Sequence, residues 1–299
     1  MSSESSTAMK EGLIPFAYEG ETHQTYYKVF GDLENLTRTP IVVLHGGPGL
    51  SYDYVSPHAD LADDAFGSFP VIFYDQLGNG RSTHLPDKPS TFWTIDLFLD
   101  ELENLLTHFG IEGEFHIVGH SWGGMMGAEL VVRRHPTGLK RLVIANSPAD
   151  LNLWDKAFDQ LLAAFSSEVK KALAKNPDDD KQGFYEAIMQ VYAVHGCRVQ
   201  PFPEDFVKTI RSIYGDDGDR TVDRADITKN WSIVDRLHLV DVPTLVINGR
   251  YDIAQDFVVA AFVEKIPDVK WVKFENSSHT PCWEERPKYM HIVTKFLGQ

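Results

Sequence analysis

FHIVGHSWGGMMGAEL, residues 115–130, decides how this chain folds. Its first four residues form a short run suited to a strand covered on both faces, and the stretch after residue 122 turns into a helical pattern. Between them Gly119-His120-Ser121-Trp122-Gly123 fits G-x-S-x-G. In that context the pentapeptide reads as a strained strand-to-helix turn that lifts the serine side chain clear of the sheet edge.

The same rhythm continues on both sides. Short apolar runs at 41–44 (IVVL), 71–74 (VIFY), 142–145 (LVIA), 244–247 (TLVI) and 271–274 (WVKF) are expected to be buried strands, with an antiparallel hairpin earlier, over 16–27. Residues 94–109 place Leu97, Phe98, Leu102, Leu105 and Leu106 on one helical face, and 257–265 repeat the habit before Pro267 stops it. Strands alternating with helices imply βαβ units and a mostly parallel sheet with helices on both faces. Residues 150–235 break the rhythm: they show amphipathic helical windows, no strand, and two acidic loops, NPDDD at 176–180 and GDDGD at 215–219. The latter lacks the alternating ligands of a calcium loop. We read a core made of 1–149 and 236–299 and a helical cap at 150–235.

Composition narrows the function. With 299 residues, 43% hydrophobic and 24% charged, the chain has the makeup of a globular protein. Its 28 Lys+Arg against 43 Asp+Glu give a net charge of −15, which repels phosphate backbones and anionic lipid, so neither nucleic acid nor membrane is an expected partner. The first twelve residues carry no basic and apolar targeting pattern, no later stretch reaches the length of a membrane span, and a cytoplasmic location is expected. The only cysteines, Cys197 and Cys282, make neither a disulfide framework nor a zinc pair.

A serine hydroxyl needs a base, and the base needs an orienting carboxylate. In an open α/β sheet both should stand at the carboxyl ends of later strands. Asp252 follows TLVI by a short loop and His279 follows WVKF by another, which makes Ser121, Asp252 and His279 the candidate triad. His45, His116, His120, His195 and His238 lack that position, and Asp256, the rival carboxylate, falls in the following helix. The tetrahedral intermediate requires two donors, which we assign to the amides of Gly47, in the turn HGGPG at 45–49, and Trp122, after the serine. DQLGNGRS at 75–82 has Thr83 where a dinucleotide loop needs its third glycine, and it is expected to brace the oxyanion turn. Cys282 is expected to be a small buried hydrophobe.

HGGPG, DQLGNGRS, GHSWGG at 119–124, GRYD ending at Asp252 and NSSH ending at His279 stand in an order that resembles the proline iminopeptidases and related L-amino-acid amidases of the α/β-hydrolase superfamily. The resemblance covers nearly the whole chain and is weakest across 150–235. It implies an α/β-hydrolase fold and release of an N-terminal residue from a peptide or amide through an acyl-enzyme, without metal or cofactor. In the aminopeptidase members a glutamate after the triad aspartate helps hold the substrate ammonium; here that place is Ile253. A second glutamate is expected late in the cap, where 220–224 read RTVDR. Gly46, Ile253 and Glu204 are the expected substrate-binding residues, with Asp223 and Asp226 as further cap carboxylates, and the lost glutamates imply a weak preference for a free amine. An esterase, a lactonase or another acyl hydrolase of small-molecule metabolism, or a slow-turnover ligand receptor on the same fold, stays open. So does the oligomeric state.

Overall fold

The computed structural model describes residues 9–299, so residues 1–8, part of the stretch read above for a targeting signal, lie outside the described residues. Strands β1 (Met9–Tyr18), β2 (Glu21–Phe30), β3 (Ile41–Leu44), β4 (Val71–Asp75), β5 (Phe115–His120), β6 (Leu139–Ala145), β7 (Thr244–Gly249) and β8 (Val269–Phe274) form one sheet in the order β1-β2-β4-β3-β5-β6-β7-β8. From β4 to β8 all neighbours are parallel; β1 and β2 pair antiparallel with each other, and β2 with β4. The hairpin is longer than the sequence suggested. β1 runs back to Met9 through Pro15, which an edge strand tolerates. The turn Glu19-Gly20, both at positive φ, matches the twist of the two strands.

The alternation of side chains along the parallel strands divides the core into two layers. Val42, Leu44, Ile72, Tyr74, Ile117, Leu142 and Ile144 pack on one face with α1 (Ile95–Phe109), α2 (Trp122–Arg134) and α7 (Asp256–Lys265). Ile41, Val43, Val71, Phe73, Val118, Val143 and Ala145 pack on the other with α8 (Arg286–Leu297) and the tightly wound segment Tyr52–Ala62. Each such Val, Leu, Ile or Phe side chain contributes about 1.5–3 kcal/mol relative to exposure, and covering both faces is what makes these strands near-continuous apolar runs. β8 is the exception, because it is an edge strand: Trp271, expected to be buried, is 42% exposed and donates through Nε1 to Asn248 Oδ1. Helix α1 begins where Thr94 Oγ1 accepts from the Leu97 amide and ends at Gly110 in the left-handed region.

Between β6 and β7 run α3 (Leu151–Leu162), α4 (Ser167–Leu173), α5 (Lys181–His195) and α6 (Glu204–Tyr214). They share a small apolar cluster built on Val169, Ala187, Ile188 and Val191. The two ends of this segment meet: the Leu151 amide donates to the Trp231 carbonyl and the Ile233 amide to the Ala149 carbonyl. The segment therefore leaves and rejoins the sheet at one place. α6 is fastened to the Tyr52–Ala62 segment by Ser56 Oγ donating to Asp205 and by Lys208 beside Asp53, at 2.8 and 3.1 Å. No helix among the described residues is long and apolar enough to cross a membrane.

Candidate active site

Ser121 stands between the end of β5 and the start of α2 with φ 54° and ψ −120°, a conformation that L-residues avoid without outside support. That support is local. The Ser121 amide donates to the Ala145 carbonyl and Ser147 Oγ to the Ser121 carbonyl, both at 2.8 Å. A Cβ on Gly119 would collide with the Gly123 carbonyl, and one on Gly123 with the Leu44 carbonyl, so strand and helix approach this closely only through glycine.

Two amides are available near the serine. Trp122 is the first residue of α2, so its N–H has no acceptor inside the helix and lies at the positive end of the helix dipole. Gly47, at φ 120°, lines the same cavity as Ser121. Gly46 lies beside Ser121, but its amide donates to Tyr54 Oη at 2.8 Å. The turn is held from behind by the 75–82 element. The Gln76 amide donates to His45 Nε2, Gln76 Oε1 accepts from the Trp122 indole, and Asp75 accepts from the Tyr52 and Arg81 amides. Burial holds the His45 imidazole below its ordinary range, which suits Nε2 as an acceptor while Nδ1 donates to the Gly46 carbonyl.

Past β7, Asp252 is fully buried and has a partner for each oxygen. Oδ1 accepts from His279 Nδ1 at 2.7 Å and from the Ala254 amide at 2.9 Å; Oδ2 accepts from Asn146 Nδ2 at 2.6 Å. The rings of His120 and Trp154 flank the His279 ring, with centroids 4.7 and 5.5 Å away. Asp256 takes no part: it opens α7, where it accepts from Asn248 and Lys273. Cys282 is buried, and burial pushes its thiol upward.

Ser121 and His279 line one cavity of about 280 Å³, walled by Leu151, Trp154, Phe206, Ile210, Ile213 and Ile253. Its carboxylates are Asp155 and Asp223. Glu204, expected to bind substrate, instead starts α6 facing solvent and is not among the cavity residues, and Asp226 is likewise exposed. The reason is the path of the chain after α6, which brings Asp223 down against Gly49 of the HGGPG turn. Asp223 Oδ1 accepts from Tyr214 Oη and Oδ2 from Arg220 Nε, each at 3.0 Å, and burial raises its carboxyl above the ordinary range. The places expected for the clamp glutamates hold Ile253 and RTVDR, and of the three cap carboxylates considered instead, Glu204, Asp223 and Asp226, only Asp223 lines the cavity. Ile253 does line the cavity. Sequence reasoning passed over Asn146, Tyr54 and Trp154. For Asn146 a signal existed, since it follows LVIA at the carboxyl end of a strand beside the one leading to Asp252.

Fold and site together define a serine hydrolase: residues 39–286 match the alpha/beta hydrolase fold family. The chain is 30% identical to the proline iminopeptidase of Clostridioides difficile (strain 630), over 96% of this chain and 98% of that protein. It also resembles two crystal structures. VinJ is 38% identical with a TM-score of 0.86, and the proline iminopeptidase of Mycobacterium smegmatis is 36% identical with a TM-score of 0.79; each match covers 97% of this chain and 98% of the other. The chain belongs to the proline iminopeptidase family of alpha/beta hydrolases.

Proposed function

We propose that the protein releases an N-terminal residue, proline among those accepted, from a short peptide or aminoacyl amide through an acyl-enzyme on Ser121. The observation that carries this reading is one half-buried carboxylate, Asp223, lining the cavity that also holds Ser121 and His279. An ammonium moved into an apolar pocket is costly unless a carboxylate meets it. Arg220 and Tyr214 each occupy one lone pair of an Asp223 oxygen, and a second lone pair on each remains for a substrate N–H. The apolar walls at Phe206, Ile210 and Ile253 suit a prolyl or aliphatic side chain.

In the reaction so read, Ser121 Oγ attacks the scissile carbonyl while His279 Nε2 takes the hydroxyl proton, and Asp252 holds His279 through Nδ1–H. The oxyanion is met by the Gly47 and Trp122 amides. His279 returns its proton to the leaving amine, and the same base then activates water to hydrolyse the ester on Ser121. We also read residues 150–235 as a cap over this site, supported by Leu151, Trp154, Phe206 and Asp223 lining the cavity. Two free, buried cysteines support a reducing, cytoplasmic setting.

The test is a panel of L-prolyl p-nitroanilide, its N-acetyl analogue and p-nitrophenyl esters. A preference for the free amine above about a hundredfold, lost in Asp223→Asn, is expected from a polar clamp. A preference below about tenfold that Asp223→Asn leaves unchanged returns the site to an acyl hydrolase of esters or lactones.

A further inference from the structure

One buried histidine, unused in the mechanism above, stands between the turn that carries Gly47 and the loop that carries His279. It is His120, the last residue of β5. Its Nε2 lies 2.6 Å from the His279 backbone carbonyl and its Nδ1 2.7 Å from Tyr54 Oη, which in turn accepts from the Gly46 amide at 2.8 Å.

These contacts fix every proton. A carbonyl oxygen only accepts, so Nε2 must carry hydrogen. Burial and the neighbouring His279 hold the His120 imidazole well below its ordinary range, so the ring is neutral and Nδ1 is the acceptor. Tyr54, held protonated by burial, therefore gives its one proton to Nδ1 while its oxygen receives the Gly46 N–H. The result is a chain of three hydrogen bonds running in one direction: Gly46 N–H to Tyr54, Tyr54 O–H to His120, His120 Nε2–H to the His279 carbonyl. No member can reverse without leaving a buried donor or acceptor unmatched.

We propose that Tyr54 and His120 are positioning residues that lock the oxyanion turn to the backbone of the base, so that the Gly47 amide and the His279 ring keep one fixed separation across Ser121. The inference rests on reading Ser121, His279 and Gly47 as the reacting groups. Acyl transfer needs donor and base in register on one carbonyl, and a misplacement of about 1 Å costs about a hundredfold in rate. The chain joins the two loops from inside the fold, and it passes through the residue directly before the nucleophile.

Four variants test it, with turnover of L-prolyl p-nitroanilide, or of p-nitrophenyl acetate if that is the better substrate, measured beside thermal unfolding. Tyr54→Phe keeps the ring and removes the relay; kcat is expected to fall about 10- to 100-fold with KM within about threefold. His120→Asn, too short to reach the His279 carbonyl, is expected to match it. His120→Gln sets an amide donor near the Nε2 position and is expected to recover at least about fivefold over His120→Asn. Because one chain can be cut only once, the Tyr54→Phe/His120→Asn double variant should lie within about threefold of the poorer single variant. A role in packing alone would lower stability and would not distinguish Gln from Asn. Tyr54→Phe with kcat within about twofold of the parent, equal losses in Gln and Asn, or losses that multiply in the double variant overturn the proposal. Ser121→Ala, run alongside, separates the two failures: turnover that survives it removes the catalytic reading and this inference with it, whereas its loss beside silent relay variants removes the inference alone.

Discussion

Asn146 Nδ2 lies 2.6 Å from Asp252 Oδ2 and 3.3 Å from the Ser278 carbonyl, so one side chain at the end of β6 touches both the carboxylate and the loop leading to His279. Asn146 has φ 56°, a left-handed conformation that asparagine tolerates better than most residues. Asp252 is thereby held from two sides, by Asn146 and by the Ala254 amide.

Asn146→Gly keeps the backbone conformation and removes the amide. A hydrogen bond to a buried charge contributes about 1.5–3 kcal/mol, so kcat should fall about 10- to 100-fold as Asp252 loses its orientation. Steady-state kinetics with an unchanged kcat would show that the Ala254 amide alone holds the carboxylate.

Ser121→Ala should retain the fold, because the methyl fits the elbow, and should lose about 10³-fold or more in kcat. A fluorophosphonate probe followed by peptide mapping should label the parent at Ser121. Labelling at another residue with activity intact would remove Ser121 as nucleophile. A chelator should leave turnover unchanged, since nucleophile, base and donors are all protein groups.

The two neighbouring carboxylates should behave in opposite ways. Asp252→Asn favours the wrong His279 tautomer and should cost about 10⁴-fold in kcat. Asp256→Asn breaks a surface pair with Lys273, worth at most about 1 kcal/mol, and should leave kcat within about twofold. Kinetics on both variants, with the losses reversed, would reassign the triad.

Glu101 predicts how stability depends on pH. It is fully buried beneath the 75–82 element, where it accepts from the Leu77 amide and Thr25 Oγ1, and burial pushes its carboxyl from 4.5 up to about 7. The folded state therefore binds this proton more tightly than the unfolded one. Its contribution is fully present below about pH 4.5 and is lost as pH rises through 7, with a slope of at most about 1.4 kcal/mol per pH unit. Glu101→Gln lacks that proton equilibrium. In urea titrations at pH 5 and pH 8 the variant should gain on the parent by about 2–3 kcal/mol at the higher pH. A pH-independent difference would show that the carboxyl titrates normally.

What the sequence determined by itself is whatever depends on neighbours along the chain. The apolar runs at 41–44, 71–74 and 115–118 became strands because their β-branched and aromatic side chains pack on both sides of a pleated sheet. Ser121 was legible as an elbow because Gly119 and Gly123 alone allow the backbone contact. Asp252 and His279 were legible because each follows a parallel strand, and such strands end at one edge. Only the tertiary structure decided what depends on distant segments meeting. Asp223, and not Glu204, lines the cavity because the chain after α6 descends onto Gly49, a path that no local propensity encodes. Trp271 is exposed because its strand is the last of the sheet, which nothing in WVKF says. The partners of Asn146, Tyr54 and His120 lie 106, 66 and 159 positions away along the chain. Hydrogen bonds of that kind require both ends to be fixed in space first, which is the work of the packed core rather than of any residue within it.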